Sequence, residues 1–182
     1  MTLIRAFISI HVPSTSEAEG LRRDLRIAGL RPSPAEQTHI TLRFIGDVDD
    51  SKVRKISECV ERAVHGTGRF DVEVSGFGAF PNKERPTVLW MGVGPEDVLS
   101  GMSEGISSEL RKAGIPFDPK PFKAHVTVAR CRDRMDPSEL FSKYSDRTFC
   151  RFQCSEVLVM RSVLGPKGAT HTVLSRIPLG ER

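Results

Sequence analysis

Long hydrophobic runs are missing from this chain of 182 residues. No apolar stretch approaches the ~20 residues that a membrane-spanning helix requires, so no membrane partner is expected. Residues 1–13 also lack the small-residue cleavage site of a secretory signal. No low-complexity or linker segment divides the sequence. We therefore expect residues 1–182 to form a single cytoplasmic domain that acts as a monomer.

Cysteine is scarce, and its four positions do not indicate a metal site. Cys59, Cys131, Cys150 and Cys154 include no Cys-x-x-Cys pair and no matched histidine spacing, which a structural zinc site would need. Cys150 and Cys154 fall in one predicted strand, where four residues span about 13 Å, too far for a disulfide. Free, mostly buried thiols are expected, with no metal and no cofactor.

The charge balance is only modestly basic. The formal net charge is +4 and the isoelectric point is about 9.0. This balance suits an anionic substrate, but the dense basic tails of a dedicated nucleic-acid binder are missing. Composition therefore permits RNA as a partner without indicating it.

One short pattern occurs twice. Residues 39–44 read His-Ile-Thr-Leu-Arg-Phe, and residues 125–130 read His-Val-Thr-Val-Ala-Arg. The copies lie 86 residues apart, at similar places in the two halves of the chain. This spacing indicates an internal duplication, in which two equivalent strands related by a pseudo-two-fold axis bring their His and Thr side chains to one cleft.

Both copies are predicted to be strands, because their intervening residues are apolar and largely β-branched. Strict alternation places His39 and Thr41 on one face and the aliphatic residues on the other. It also predicts that Arg43 shares the His39 face and that Phe44 lies in the core. In the second copy, alternation puts Arg130 on the apolar side, so Arg130 reaches the cleft only if the strand ends or twists there.

The rest of the chain mixes helices and strands without a regular βαβ rhythm, so the predicted class is α+β with largely antiparallel sheets. Four helices are predicted, ending near residues 28, 64, 113 and 144. Besides the motif strands, strands are predicted at residues 4–12, 70–80, 87–93, 150–164 and 172–177. The first lobe is expected to end after residue 93, before the order of helix, proline-rich approach and His-x-Thr strand repeats.

The paired pattern resembles the two-histidine (2H) phosphoesterase superfamily, and more closely its RNA 2',3'-cyclic phosphodiesterases, long called 2'-5' RNA ligases. In that family the first motif commonly continues to Phe-x-Gly, as residues 44–46 do, and the second to an Arg, as at Arg130. Residues 4–10 and 164–168 also resemble family segments. The resemblance implies two pseudo-two-fold-related α+β lobes, whose sheets flank a central cleft with helices outside.

The resemblance also implies an activity: an enzyme that opens RNA 2',3'-cyclic phosphate termini to 2'-phosphates, with reverse 2'-5' ligation as a weaker activity. Two imidazoles in one cleft suit this reaction, because neutral and protonated histidine coexist near neutral pH. One accepts a proton from the attacking water, and the other donates a proton to the departing sugar oxygen. By resemblance, His39 is the acid and His125 the base. The scheme requires no metal.

Hydroxyl and guanidinium groups would hold the phosphate. Thr41 and Thr127 could donate hydrogen bonds to the non-bridging oxygens, whose charge grows in the transition state. The resemblance assigns Arg130 a phosphate contact, and Arg43 is a second candidate. For either arginine, the alternative is a solvated salt bridge at the rim of the sheet.

Several other interpretations stay open at this point. Phe80 and Phe122 lie at loop edges, where an aromatic ring could stack on a base or simply pack. His171 stands where many relatives have Tyr, and it either lines the groove or lies on the surface. His11 and His65 are expected to be structural.

Two functions of other classes compete with the enzyme. A binding module could hold a nucleotide or RNA end without turnover, since related folds can keep a cleft and change its use. A metal site of His39, His125 and His171 is disfavoured, because no carboxylate or thiolate stands at ligand spacing.

Overall fold

The computed structural model describes residues 1–180, within which eight strands and four α-helices follow the predicted order. The strands are β1 (Leu3–His11), β2 (His39–Asp49), β3 (Phe70–Phe80), β4 (Val88–Gly94), β5 (His125–Arg130), β6 (Thr148–Cys154), β7 (Glu156–Gly165) and β8 (Gly168–Pro178). The helices are α1 (Ser16–Ile27), α2 (Val53–Val64), α3 (Glu96–Lys112) and α4 (Ser138–Tyr144). The single strand predicted at residues 150–164 is wrong, because the chain breaks at Ser155 into β6 and β7.

The strands form two antiparallel four-stranded sheets, which confirms the predicted α+β class. Sheet A has the order β2-β1-β7-β8, and sheet B has the order β5-β4-β3-β6. Each His-x-Thr strand is therefore the edge strand of its own sheet, and β2 lies beside β5. The two motifs occupy equivalent places, as a pseudo-two-fold relation requires.

The lobes are not the two halves of the chain. β3 and β4 come from the first half but belong to sheet B, whereas β7 and β8 return to sheet A. The expectation that the first lobe ends after residue 93 is therefore wrong. Hydrophobic alternation identifies strands but not their partners, and both sheets here depend on pairings between distant segments.

One cluster of buried side chains joins the two sheets and the helices. α2 and α3 pack against each other; α2 also contacts β7 and β8, and α3 contacts β2 and β4. α2 buries the apolar stripe expected from its sequence, including Ile56, Val60 and Val64. The four cysteines are free and buried, as predicted. None of the described helices has the length and apolar character needed to cross a membrane.

Candidate active site

Each His-x-Thr strand contains a β-bulge directly after its threonine. Along β2, Thr41 pairs with Ser9 and Arg43 pairs with Ile8, so Leu42 is an extra residue without an opposite partner. A bulge places two residues of one strand against one residue of the other, which ends the strict alternation of side chains. Arg43 and Phe44 consequently lie on the faces opposite to those that alternation predicts, until a second bulge at Ile45 restores the original alternation.

The second motif has its bulge at the equivalent residue. Thr127 pairs with Trp90 and Ala129 pairs with Leu89, so Val128 is the extra residue of β5. The two bulges sit at the same step of the repeated motif. The pseudo-two-fold relation therefore extends from the sequence pattern to the irregularity of the backbone.

The bulge in β5 brings Arg130 to the cleft. Arg130 pairs with Val88, and Val88 pairs with Phe80 on the next strand. Cross-strand partners share a face, and the Phe80 ring lies 5.0 Å from the ring of His125. Arg130 is exposed on this face. Alternation alone would have kept Arg130 away from the cleft, and the bulge is the twist in the strand that allows it to reach the cleft.

The bulge in β2 turns Arg43 away from the cleft. Arg43 is only 8% exposed; its Nη2 donates to Ser103 Oγ at 3.0 Å, and its Nη1 donates to Lys120 O at 2.7 Å. The prediction that Arg43 shares the His39 face is therefore wrong. As a buried guanidinium bonded to protein groups, Arg43 is no longer a candidate for phosphate binding.

The same bulge moves Phe44 from the predicted core face to the cleft face, where it is half-buried. It pairs with Phe7 of β1, whose ring lies 5.0 Å from the ring of His39. The prediction that Phe44 belongs to the core is wrong for the same physical reason as the prediction for Arg43. Phe44 is the first-lobe equivalent of Arg130, so the cleft is symmetric in its histidines and threonines but not at this position.

Both motif histidines are held in the same way. His39 Nδ1 lies 2.7 Å from Gln37 O, and His125 Nδ1 lies 2.6 Å from Lys123 O. A carbonyl oxygen can only accept, so each Nδ1 carries the hydrogen and each neutral ring keeps Nε2 unprotonated. Each Nε2 can therefore accept a proton, or donate one once the ring is protonated.

Backbone hydrogen bonds connect each motif to the approach segment of the other. The amide of Ser33, in the approach to the first motif, donates to Val128 O of the second motif at 2.7 Å. Reciprocally, the amide of Asp118, in the approach to the second motif, donates to Phe44 O at 2.9 Å. The separation between the two motif strands is thus set by main-chain contacts.

Two buried arginines brace these approach segments. Arg22 of α1, 2% exposed, donates to Ser33 O at 3.2 Å and to Thr38 Oγ1, next to His39. Arg43 donates to the carbonyls of Asp118 and Lys120, in the approach to His125. Sequence reasoning missed both roles, and only Arg22 had a sequence signal, its place within the apolar face of α1.

His171 lines the cleft, which resolves the choice between groove and surface. Its ring meets the His39 ring edge to face at a centroid distance of 5.2 Å and lies 4.9 Å from the Phe7 ring. His11 pairs with His39 across β1 and β2. Among residues 1–180, no group of three or more His, Cys, Asp and Glu side chains is arranged to hold a metal ion.

The threonines stand beside two buried polar atoms that have no protein partner. Ser9 Oγ, opposite Thr41, and Trp90 Nε1, opposite Thr127, are buried without a hydrogen bond in the part of the chain that the structure describes. Unpaired buried polar atoms are rare in folded proteins. Sequence reasoning did not identify Ser9 or Trp90, because their nearness to the threonines depends on strand register.

The two aromatic residues predicted at loop edges have different surroundings. Phe80 contacts His125, and its ring also lies 5.2 Å from the ring of Trp90. The ammonium of Lys123 lies 5.2 Å from the centre of the Phe80 ring. Phe122, by contrast, packs partly buried against the core. Phe80 is therefore the one of the two that lies beside a motif histidine.

Burial favours the neutral form of both motif histidines. It lowers the pKa of His39 from 6.5 to about 4; the Gln37 carbonyl opposes this shift, and the charges of His171, His11 and His125 add to it. Burial also lowers the pKa of His125, and Arg130 and Lys123 add to the effect against the Lys123 carbonyl. An anion in the cleft would oppose these shifts, since it favours imidazolium.

The lowered pKa of His39 predicts acid sensitivity. The unfolded chain takes up a proton near pH 6.5, whereas folded His39 stays neutral until about pH 4. Falling pH should therefore cost the folded state on the order of 3 kcal/mol between pH 7 and pH 4. We expect His39→Gln to flatten the pH dependence of the unfolding free energy measured by urea denaturation. The exposed His65→Gln should keep the wild-type dependence; identical curves for His39→Gln and wild type would contradict the assignment.

Comparison with known proteins places this arrangement in a family. Residues 11–90 match the family model described as LigT like Phosphoesterase. The chain is 31% identical to an RNA 2',3'-cyclic phosphodiesterase of Archaeoglobus fulgidus, over 91% of this chain and 94% of that protein. It is 29% identical to a protein of the same name from Aquifex aeolicus, over 99% of this chain and 100% of that one.

Solved structures agree with the sequence match. A crystal structure of a Thermus thermophilus protein superposes with a TM-score of 0.82 at 25% identity, covering 98% of this chain and 100% of that one. The crystal structure of E. coli LigT complexed with 3'-AMP has the same fold, with a TM-score of 0.75 at 20% identity, covering 98% of this chain and 99% of that one. The chain belongs to the LigT-like phosphoesterase family.

Proposed function

We propose that this protein is an RNA 2',3'-cyclic phosphodiesterase that hydrolyses 2',3'-cyclic phosphate termini to 2'-phosphates, with reverse 2'-5' ligation as a weaker activity. The observation that carries the proposal is the pair of histidines on adjoining edge strands, each with Nδ1 bonded to a carbonyl and with Nε2 unbonded to any group of residues 1–180. The names of the A. fulgidus and A. aeolicus relatives support the same activity. The substrate is an RNA or nucleotide ending in a cyclic phosphate.

The two histidines divide the proton transfers. His125 Nε2 accepts a proton from water as the water attacks phosphorus, and His39 Nε2, protonated, donates its proton to the departing 3'-oxygen. The P–O bond to O3' breaks and the phosphate remains on O2'. Because the pKa of His39 is about 4 in the free cleft, the bound phosphate must raise it for His39 to act as the acid.

Thr41, Thr127 and Arg130 hold the phosphate in this proposal. Within residues 1–180 the two threonine hydroxyls have no hydrogen-bond partner, so they are available to donate to non-bridging oxygens. Arg130 is exposed on the His125 face and can pair with the same oxygens. No resident metal or cofactor takes part in these steps. We further propose that residues 1–182 act as one bilobal domain, as a monomer in the cytoplasm.

The decisive experiment uses an oligonucleotide ending in a 2',3'-cyclic phosphate, incubated with the purified protein and a metal chelator. The expected product carries a 2'-phosphate, identified by comparison with synthetic 2'- and 3'-phosphate standards. The His39→Ala/His125→Ala double variant is the control for contaminating nucleases. Absence of product, or formation of the 3'-phosphate alone, would refute the proposed function.

A further inference from the structure

The two lobes differ in how they supply a cation to the cleft. Sheet B has Arg130 on its motif strand, while sheet A has Phe44 at the equivalent position. The guanidinium of Arg5, from the neighbouring strand β1, lies over the Phe44 ring at 4.8 Å from its centre. A cation above an aromatic face is held in place by the ring quadrupole. Sheet A therefore has a guanidinium beside Phe44, the position that is equivalent to Arg130 in sheet B.

Arg5 is available to a ligand. It is exposed, and its register partner on β2 is Asp47, also exposed. The guanidinium nevertheless lies over the ring of Phe44, and among residues 1–180 Arg5 forms no ion pair. A preorganised arginine without a carboxylate partner is well suited to a phosphate, which its planar donors can bind in two places at once.

A polar row leads from Arg5 back to the motif histidines. Arg5 pairs with Ser162 of β7, and Ser162 pairs with His171 of β8. Neighbouring strands are about 4.8 Å apart, so the three side chains stand side by side on one face of sheet A. At the end of this row the His171 ring contacts the ring of His39. The row therefore runs from His171, beside the place proposed for the reacting phosphate, outward along the sheet to Arg5.

We propose that Arg5, with Ser162 and His171 beside it, binds the phosphodiester that joins the terminal nucleotide of the RNA to its neighbour. This inference rests on the proposed function, because it takes the terminal phosphate to lie between His39 and His125. Arg130 then binds the reacting phosphate, and Arg5 binds the next phosphate along the RNA. The site selects oligonucleotide ends over mononucleotides.

The test measures binding and needs no turnover. Two dinucleotides ending in a 2'-phosphate are compared by isothermal titration: one with an ordinary phosphodiester linkage and one with a neutral methylphosphonate linkage. The wild type should bind the charged linkage about tenfold more tightly, which is the usual weight of one charged hydrogen-bonded contact. Arg5→Gln should abolish this preference and reduce the salt slope of log K by about 0.7, the loss of one single-strand phosphate contact.

Arg161→Gln is the matched control. Arg161 is exposed on β7 next to Ser162, but it pairs with Ala6 and so lies on the opposite face of sheet A. Its removal should leave the preference for the charged linkage unchanged. Equal binding of the two dinucleotides by the wild type, or an intact preference in Arg5→Gln, would overturn the inference. A protein that keeps the preference but hydrolyses no cyclic phosphate would overturn the proposed function alone.

Discussion

Replacing either His39 or His125 by alanine should lower kcat on a 2',3'-cyclic phosphate oligonucleotide by about 100-fold or more. General acid and general base catalysis each typically contribute 10²- to 10⁴-fold, and each histidine is the only imidazole of its own motif. Single-turnover kinetics at saturating enzyme would measure the chemical step directly. Thr41→Ala and Thr127→Ala should cost less, since each would remove only the proposed hydrogen bond to the phosphate and leave proton transfer intact.

A histidine outside the cleft provides the matched control for these variants. His65 is exposed at the end of α2, so His65→Ala should retain wild-type kcat. The double variant should lose much less activity than the product of the two single losses in kcat, because the two histidines act in one concerted step and removing either one already disables that step. Near-normal turnover by both single variants would remove the two-histidine mechanism altogether.

The acid and base roles should separate with a substrate whose leaving group needs no proton. In a cyclic phosphorothiolate with sulfur at the bridging 3' position, the departing group is a thiolate, which is stable without protonation. This substrate should restore His39→Ala to near the wild-type rate on the same compound, because the acid is no longer required. It should not restore His125→Ala, which still lacks the base that activates water.

The reverse pattern has a clear meaning. Restoration of His125→Ala, but not of His39→Ala, would exchange the two roles. Such an exchange is physically reasonable, because the pKa of His39 is about 4 in the free cleft and its neutral form is that of a base. The kinetic test therefore decides between two assignments. The family resemblance makes His39 the acid, whereas the electrostatics of the unliganded site favour a neutral His39 that acts as the base.

Sequence alternation predicted the motif strands up to their threonines and failed directly after them. His39 and Thr41 share the cleft face because they precede the bulge at Leu42; Arg43 and Phe44 follow it and exchange faces. Leu42 is an ordinary strand residue, so nothing in its type signals an extra residue in the register. One bulge therefore produced two wrong predictions and also the position that makes the two lobes differ.

The neighbours of the motif strands were harder to predict than the strands themselves. His171 reaches His39 only because β7 pairs with β1 and β8 pairs with β7, and the sequence gives no measure of such pairings. The same holds for Ser9 and Trp90, which stand beside the motif threonines through register alone. The start of α1 was easier to predict, because Ser and Thr are preferred at helix N-caps. The hydroxyl of Thr15 accepts a hydrogen bond from the amide of Ala18 and caps this helix.

The interleaved sheets have a consequence for how the nascent chain folds. Sheet B is built from β3 to β6, which follow one another along the chain, whereas β1 and β2 have only each other until β7 and β8 emerge. A two-stranded pair is marginally stable alone, and pairing between distant strands is slow because the long loop must close first. We therefore expect the strand with His125 to complete its sheet before the strand with His39 does, so that the two motif histidines come together only after β7 and β8 have joined sheet A.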